Sequence, residues 1–158
     1  MLTAIVDANL KDVRQLIAIY SSPDLYHNKQ EASWFVKSYF DYHHVKVVKD
    51  KDKVKGAALW NVKEERHHGI AEIGELWIDK EYRRRGLGEK LLRTVIEDMK
   101  RFFAAENDTF RRVLVTTGAD NDLARRLYEK IGFKKTAVLK DLFAKGENEL
   151  VYILTLSP

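Results

Sequence analysis

The stretch from Ile70 to Thr117 limits what this chain can fold into more than any other part of it. Ile70–Ile78 reads as a strand interrupted by Gly74, where a bulge or a close backbone approach is expected. A basic loop with two glycines follows. From Gly86 onward Leu87, Leu91, Leu92, Val95, Ile96, Met99 and Phe103 recur at the spacing of one helical face. Val113-Leu114-Val115 then reads as a buried strand. Strand, helix and strand in that order form a right-handed parallel crossover when they share a sheet.

The flanking segments give the remaining elements. Thr3–Val6 is a short first strand, and Asp7 or Asn9 can cap a helix carrying Val13, Leu16, Ile17 and Tyr20. Ser21-Ser22-Pro23-Asp24 ends that helix. A second helix over about Lys29–Tyr42 holds Trp34, Phe35, Tyr39 and Phe40, aromatics at core-like spacing. Val45–Lys49 and Val54–Trp60 form a hairpin around Asp50-Lys51-Asp52-Lys53. Asn121–Ile131 is a helix closed by Gly132, with Leu123, Leu127 and Ile131 as its core stripe. Thr136–Leu142 and Glu149–Leu156 pair around Lys145-Gly146. The expected fold is a mixed α/β sheet, mostly antiparallel, with helices on both faces and one parallel strand pair.

The 158 residues, with no repeat or low-complexity linker, suit a single domain spanning 1–158. The chain has no cysteine, which excludes disulfides, thiolate catalysis and Cys-ligated zinc. No apolar run approaches the roughly 18 residues of a membrane span, and the N-terminus does not resemble a signal peptide, so a cytoplasmic location is expected. The net charge of +4 is concentrated: Lys80–Arg93 holds six basic residues against two acidic ones.

Arg83-Arg84-Arg85-Gly86-Leu87-Gly88 stands where the central helix starts. The first N–H groups of a helix lack intrahelical partners and the dipole there favours anions. Glycines let a phosphate approach that backbone, and arginines add forked hydrogen bonds. No Walker loop is present, and Leu91 occupies the third glycine position of a dinucleotide fingerprint.

Arg83-x-x-Gly86-x-Gly88 resembles the Gln/Arg-x-x-Gly-x-Gly/Ala motif of the GNAT superfamily of N-acetyltransferases. Asn121-x-x-Ala124-x-x-Leu127-Tyr128-x-x-x-Gly132-Phe133 is similar to a second signature of that family, downstream and in the same element order. The resemblance covers Ile70–Phe133 and is loose over the first 50 residues. It implies acetyl-CoA as co-substrate, bound where the parallel strands Ile70–Ile78 and Arg112–Thr117 splay apart. Backbone amides from Arg84 through Arg85, Gly86, Leu87 and Gly88 to Glu89 would hold the pyrophosphate, with at least one of Arg83, Arg84 and Arg85 on a phosphate. Within Leu76-Trp77-Ile78, main-chain groups of Leu76 and Ile78 would pair with the pantetheine arm like an added strand. Asn121 would hydrogen-bond that arm, and Ala124 is small enough to let it approach.

Amide formation needs a base for the amine and an acid for the departing thiolate. The resemblance implies Tyr128 as the acid; packing at the edge of the core is the other reading of this residue. Glu72 occupies the place of a family base, with Glu75 second and an ordered water third. Glu75 lies on the opposite sheet face from Glu72 unless Gly74 bulges the strand. His43-His44 and His67-His68 are adjacent pairs that do not face one way, so no metal is expected. The reading is acetyl transfer to a primary amine, on a small molecule or a protein, with a non-catalytic acyl-CoA-binding regulatory domain as the alternative. No recognised nucleic-acid module accompanies the arginines, so nucleic acid and membrane are not expected partners, while family members often pair as homodimers.

Overall fold

A computed structural model describes residues 3–22, 25 and 28–157. Its elements are β1 Thr3–Asp7, α1 Leu10–Tyr20, α2 Lys29–Tyr42, β2 His44–Asp50, β3 Lys53–Val62, β4 Ile70–Ile78, α3 Leu87–Ala105, β5 Arg112–Gly118, α4 Asp122–Ile131, β6 Lys134–Leu139 and β7 Glu149–Thr155. Short 3-10 turns lie at Arg66–His68 and Lys80–Tyr82. The element order is the one the sequence implies. Pro23 and Asp24, expected to break the first helix, lie outside the described residues.

The strands form one mixed sheet in the order β1-β2-β3-β4-β5-β7-β6. The parallel pair is β4 with β5, in register from Ile70 opposite Arg112 to Ile73 opposite Val115. Lys63 donates to the Ile70 carbonyl and Asp79 to that of Lys55. Eight steps along β3 thus face nine along β4, so β4 carries one extra residue in the interval that contains Gly74.

By its contacts the chain divides into two compact units, one of residues up to Asn61 with Glu75–Leu92, the other of Val62–Gly74 with the residues from Arg93 on. In the first, Asn9 opens α1 through a reciprocal cap. Its side chain accepts from Lys11 N at 2.9 Å, and Asp12 accepts from Asn9 N at 2.9 Å. Asp12 is buried, and Lys49 meets its other oxygen at 2.8 Å. Leu16 and Tyr20 of α1 and Ala32 and Val36 of α2 then pack on Val47, Ala57 and Leu59 of the sheet. Trp34 departs from the expectation that the α2 aromatics are core. It is 73% exposed, because the buried line of α2 runs through Ala32 and Val36, with Phe35, Tyr39 and Phe40 at its flank.

In the second unit the predicted stripe of α3 is buried at Val95, Ile96, Met99 and Phe103, and Val113 and Val115 of β5 are buried beside it in sequence alternation. The core stripe expected in α4 is corrected. Leu123 is 59% exposed and Leu127 and Ile131 are half-buried, while Tyr128 is buried. Its ring packs on Phe133 at 5.6 Å and on Tyr152 at 5.9 Å, which turns that face of a ten-residue helix inward. The last hairpin also starts earlier than expected, at Lys134. Gly132 takes φ 112° at the helix end and Phe133 N bonds Tyr128 O, so the chain reverses at once.

Gly69 closes the Arg66–His68 turn at φ 67°, and a Cβ built there falls 2.0 Å from the Thr109 carbonyl oxygen. Gly69→Ala must both strain the backbone and displace that carbonyl. We expect it to lower the unfolding free energy by about 2–4 kcal/mol, read from a denaturant titration.

Candidate functional site

In the first unit the loop after β4 is anchored before it turns. Asp79 accepts from Glu81 N at 3.1 Å and pairs with Lys55 at 2.9 Å. Buried Tyr82 donates to Asp50 at 2.6 Å, with the Lys55 ammonium 4.9 Å and the Arg85 guanidinium 5.2 Å from its ring centroid. Sequence reasoning passed over Tyr82. Its signal was an aromatic residue placed inside a charged run.

Arg84 and Gly86 both have positive φ, 59° and 73°. Left-handed residues alternating with others turn successive N–H groups toward one side, an anion-binding concavity. Gly86 O accepts the first helical bond from Lys90 N at 3.0 Å. The N–H groups of Leu87 and Gly88 are thus among those a helix leaves without an internal partner. A Cβ on Gly86 meets nothing within 4 Å, so the space before this backbone is open. The loop fits a diphosphate. Of the arginines, Arg83 donates to Ile78 O at 2.9 Å and Arg85 lies over Tyr82, while Arg84 is exposed within the turn. The Ile78 carbonyl expected to meet pantetheine therefore already holds one donor, and a carbonyl has room for a second.

Leu76, Trp77 and Ile78 are half-buried on β4. With Lys55 opposite Asp79, Gly56 falls opposite Ile78, and a Cβ on Gly56 would lie 2.6 Å from Ile78 Cδ1. The Trp77 carbonyl lies 3.1 Å from the same Cβ position. Glu75 keeps some exposed surface, yet its carboxyl is set deep. Burial pushes it up to about 6, opposed by the Leu76 N–H at 3.2 Å. Glu72, in the second unit, is half-buried and pairs with Lys63 at 3.5 Å.

In the second unit Asn121 is the N-cap of α4, its side-chain oxygen accepting from Ala124 N at 3.2 Å. That leaves the amide NH2 as the donor end of the side chain. Ala124 is half-buried, and Tyr128 one turn on is 4% exposed. Of the histidines, His44 stacks on Trp60 at 3.8 Å. His67 and His68, with Glu65, bring ligand atoms within 4.8 Å of one another on an exposed turn.

The Acetyltransferase (GNAT) family model matches residues 10–133, and the chain belongs to that family. N-alpha-acetyltransferase 30 of Schizosaccharomyces pombe is 30% identical over 148 residues, 92% of this chain and 91% of that protein. The ribosomal-protein-S18-alanine N-acetyltransferase of Escherichia coli shares the fold at TM-score 0.79 and 18% identity, over 99% of this chain and 96% of that one. A Salmonella typhimurium structure solved with acetyl-CoA as its cofactor also has TM-score 0.79 and 18% identity, over 100% and 96%. The chain is an N-acetyltransferase. Among the described residues no helix is long and apolar enough to cross a membrane.

The Asn121 cap gives a separable test. Asn121→Ala should cost about 1 kcal/mol in a urea titration, whereas Asn121→Asp, which keeps an accepting oxygen, should retain most of the stability.

Proposed function

We propose that the protein acetylates the α-amino group of a polypeptide N-terminus, and that residues 1–158 act as one catalytic domain. The observation that carries this reading is the extent of the similarity to N-alpha-acetyltransferase 30. It runs over nearly the whole of both chains, so it takes in α2 as well as the two cofactor motifs.

In this reading the N–H groups of Arg84 to Glu89 hold the pyrophosphate and Arg84 screens its charge. Main-chain groups of Leu76 and Ile78 meet the pantetheine arm, and the Asn121 amide donates to it. The amine nitrogen attacks the thioester carbonyl, a proton leaves the nitrogen, and the C–S bond breaks. Glu75 ranks ahead of Glu72 as the base. A carboxylate raised to about 6 is ionised at neutral pH yet more basic than an ordinary one. Glu72 is half-buried and already paired with Lys63 at 3.5 Å. Tyr128 gives its hydroxyl proton to the departing thiolate and recovers one from solvent.

The test of the acceptor is a panel of free-N-terminal peptides, the same peptides N-blocked but carrying lysine, and small amines such as spermidine. Acetylation confined to the free N-termini is expected; transfer to lysine or spermidine at equal rates would overturn the reading. Gly86→Asp puts a carboxylate into the open space before the loop and should abolish acetyl-CoA binding while thermal unfolding stays cooperative.

The chemistry is read separately. Wild-type kcat should fall below about pH 6, and Glu75→Gln should remove that limb along with most of the rate. The sign follows from the acid form: below its pKa Glu75 is protonated and has no capacity to accept. Tyr128→Phe should lower kcat by about 10²–10⁴-fold with acetyl-CoA affinity nearly unchanged.

A further inference from the structure

Among the described residues two buried side-chain atoms have no hydrogen-bond partner, Arg125 Nε and the hydroxyl of Tyr20. Arg125 is satisfied elsewhere, its terminal nitrogen donating to Ala119 O and Asp122 at 3.1 Å each. Tyr20 has one polar atom and nothing holds it. The residue is wholly buried at the end of α1, its ring edge-on to Phe35 at 5.4 Å. A phenylalanine would fill the same space without the roughly 1–3 kcal/mol that an unsatisfied buried hydroxyl costs. The oxygen therefore needs an explanation that packing does not give.

The sheet supplies one. Tyr20 packs in one core with Ala57 and Leu59, alternate residues of β3 that point to the same face. Glu75 belongs to the same compact unit, with its carboxyl set deep and the Leu76 N–H donating to it at 3.2 Å, and its charge reaches the Tyr20 hydroxyl. Burial first, then the charges of Glu75 and Tyr39, push the Tyr20 phenol well above its ordinary value. It keeps its proton and can only donate to an anion.

We propose that Tyr20 is a positioning residue for acetyl transfer, its hydroxyl donating through one water molecule to the ionised Glu75 carboxylate and orienting it toward the acceptor amine. The inference rests on Glu75 as the base. Tyr20 gives up no proton. As the C–N bond forms and the C–S bond breaks, the proton on the acceptor nitrogen passes to Glu75, and the Tyr20 O–H stays intact. The Leu76 N–H of β4 itself donates to Glu75 at 3.2 Å, and the charges of Glu75 and of Tyr39 from α2 both act on the Tyr20 hydroxyl. Tyr39 donates to Asn61 Oδ1 at 3.5 Å, which makes it a weaker candidate for the same task.

The test compares kcat against pH for wild type, Tyr20→Phe and Glu75→Gln, using acetyl-CoA and the fastest free-N-terminal peptide of the panel above. A donor to the carboxylate stabilises its charged form, so losing it should raise the acid limb of Tyr20→Phe by about one pH unit, about fivefold in kcat at pH 6. KM for acetyl-CoA should hold, and the melting temperature should hold because the ring and its packing on Phe35 are kept. Should the limb of Tyr20→Phe stay where wild type has it while Glu75→Gln loses the limb, Tyr20 has no positioning role and Glu75 remains the base. A limb that persists in Glu75→Gln overturns the base assignment itself. A uniform drop in kcat across all pH, with no shift, marks Tyr20 as structural and also overturns the inference.

Discussion

The start of α3 sets the terms for the loop that precedes it. A helix cannot satisfy its own first N–H groups, and here they open toward space that not even a Cβ at Gly86 would occupy. Holding that backbone in a left-handed turn at Arg84 and again at Gly86 costs conformational energy, more at the arginine. The cost is offset just upstream, where Tyr82 is buried and bonded to Asp50 and where Lys55 ties Asp79 to β3. A salt bridge of this partly exposed kind is worth little alone, but the burial of an aromatic ring with its hydroxyl satisfied is worth more. The loop is thereby preorganised by groups outside its own backbone.

Much of this was legible from residues alone, for reasons that can be stated. The helical stripe of α3 is long, so periodicity finds it, and Gly86, Gly88 and Gly132 stand where positive φ or close approach is wanted. The two motifs also name a family that the comparison bears out. Short elements were harder. In α4 the Leu123 stripe and the Tyr128 stripe are one residue apart, and ten residues of pattern do not choose between them. Packing of Tyr128 against Tyr152, a residue of β7 far along the chain, chose the second. Trp34 was misread for a similar cause: spacing gives a face, not which of two neighbouring faces meets a partner.

The relation of Glu72 to Glu75 turns on a feature that no alternation rule contains. Strict alternation places residues three apart on opposite faces, and the extra residue of β4 cancels that in the interval where it falls. Gly74 signalled a bulge without fixing its consequence. The surroundings of the two glutamates were invisible in sequence, a lysine beside one and deep burial around the other.

Burial of Glu75 also has a thermodynamic sign. Its carboxyl rises in the folded chain from the ordinary 4.5 to about 6, so the native state binds the proton more tightly than the unfolded one. Stability therefore increases as pH falls from about 6 toward 4.5 and is lower by about 2 kcal/mol above that window, where both states are ionised. At neutral pH the fold carries this glutamate at a net cost. Nothing in packing requires it, since an apolar residue would fill the position without that cost. A group retained against stability, beside a tyrosine hydroxyl that is also retained against stability, is the pattern expected where selection acts on a reaction rather than on the fold.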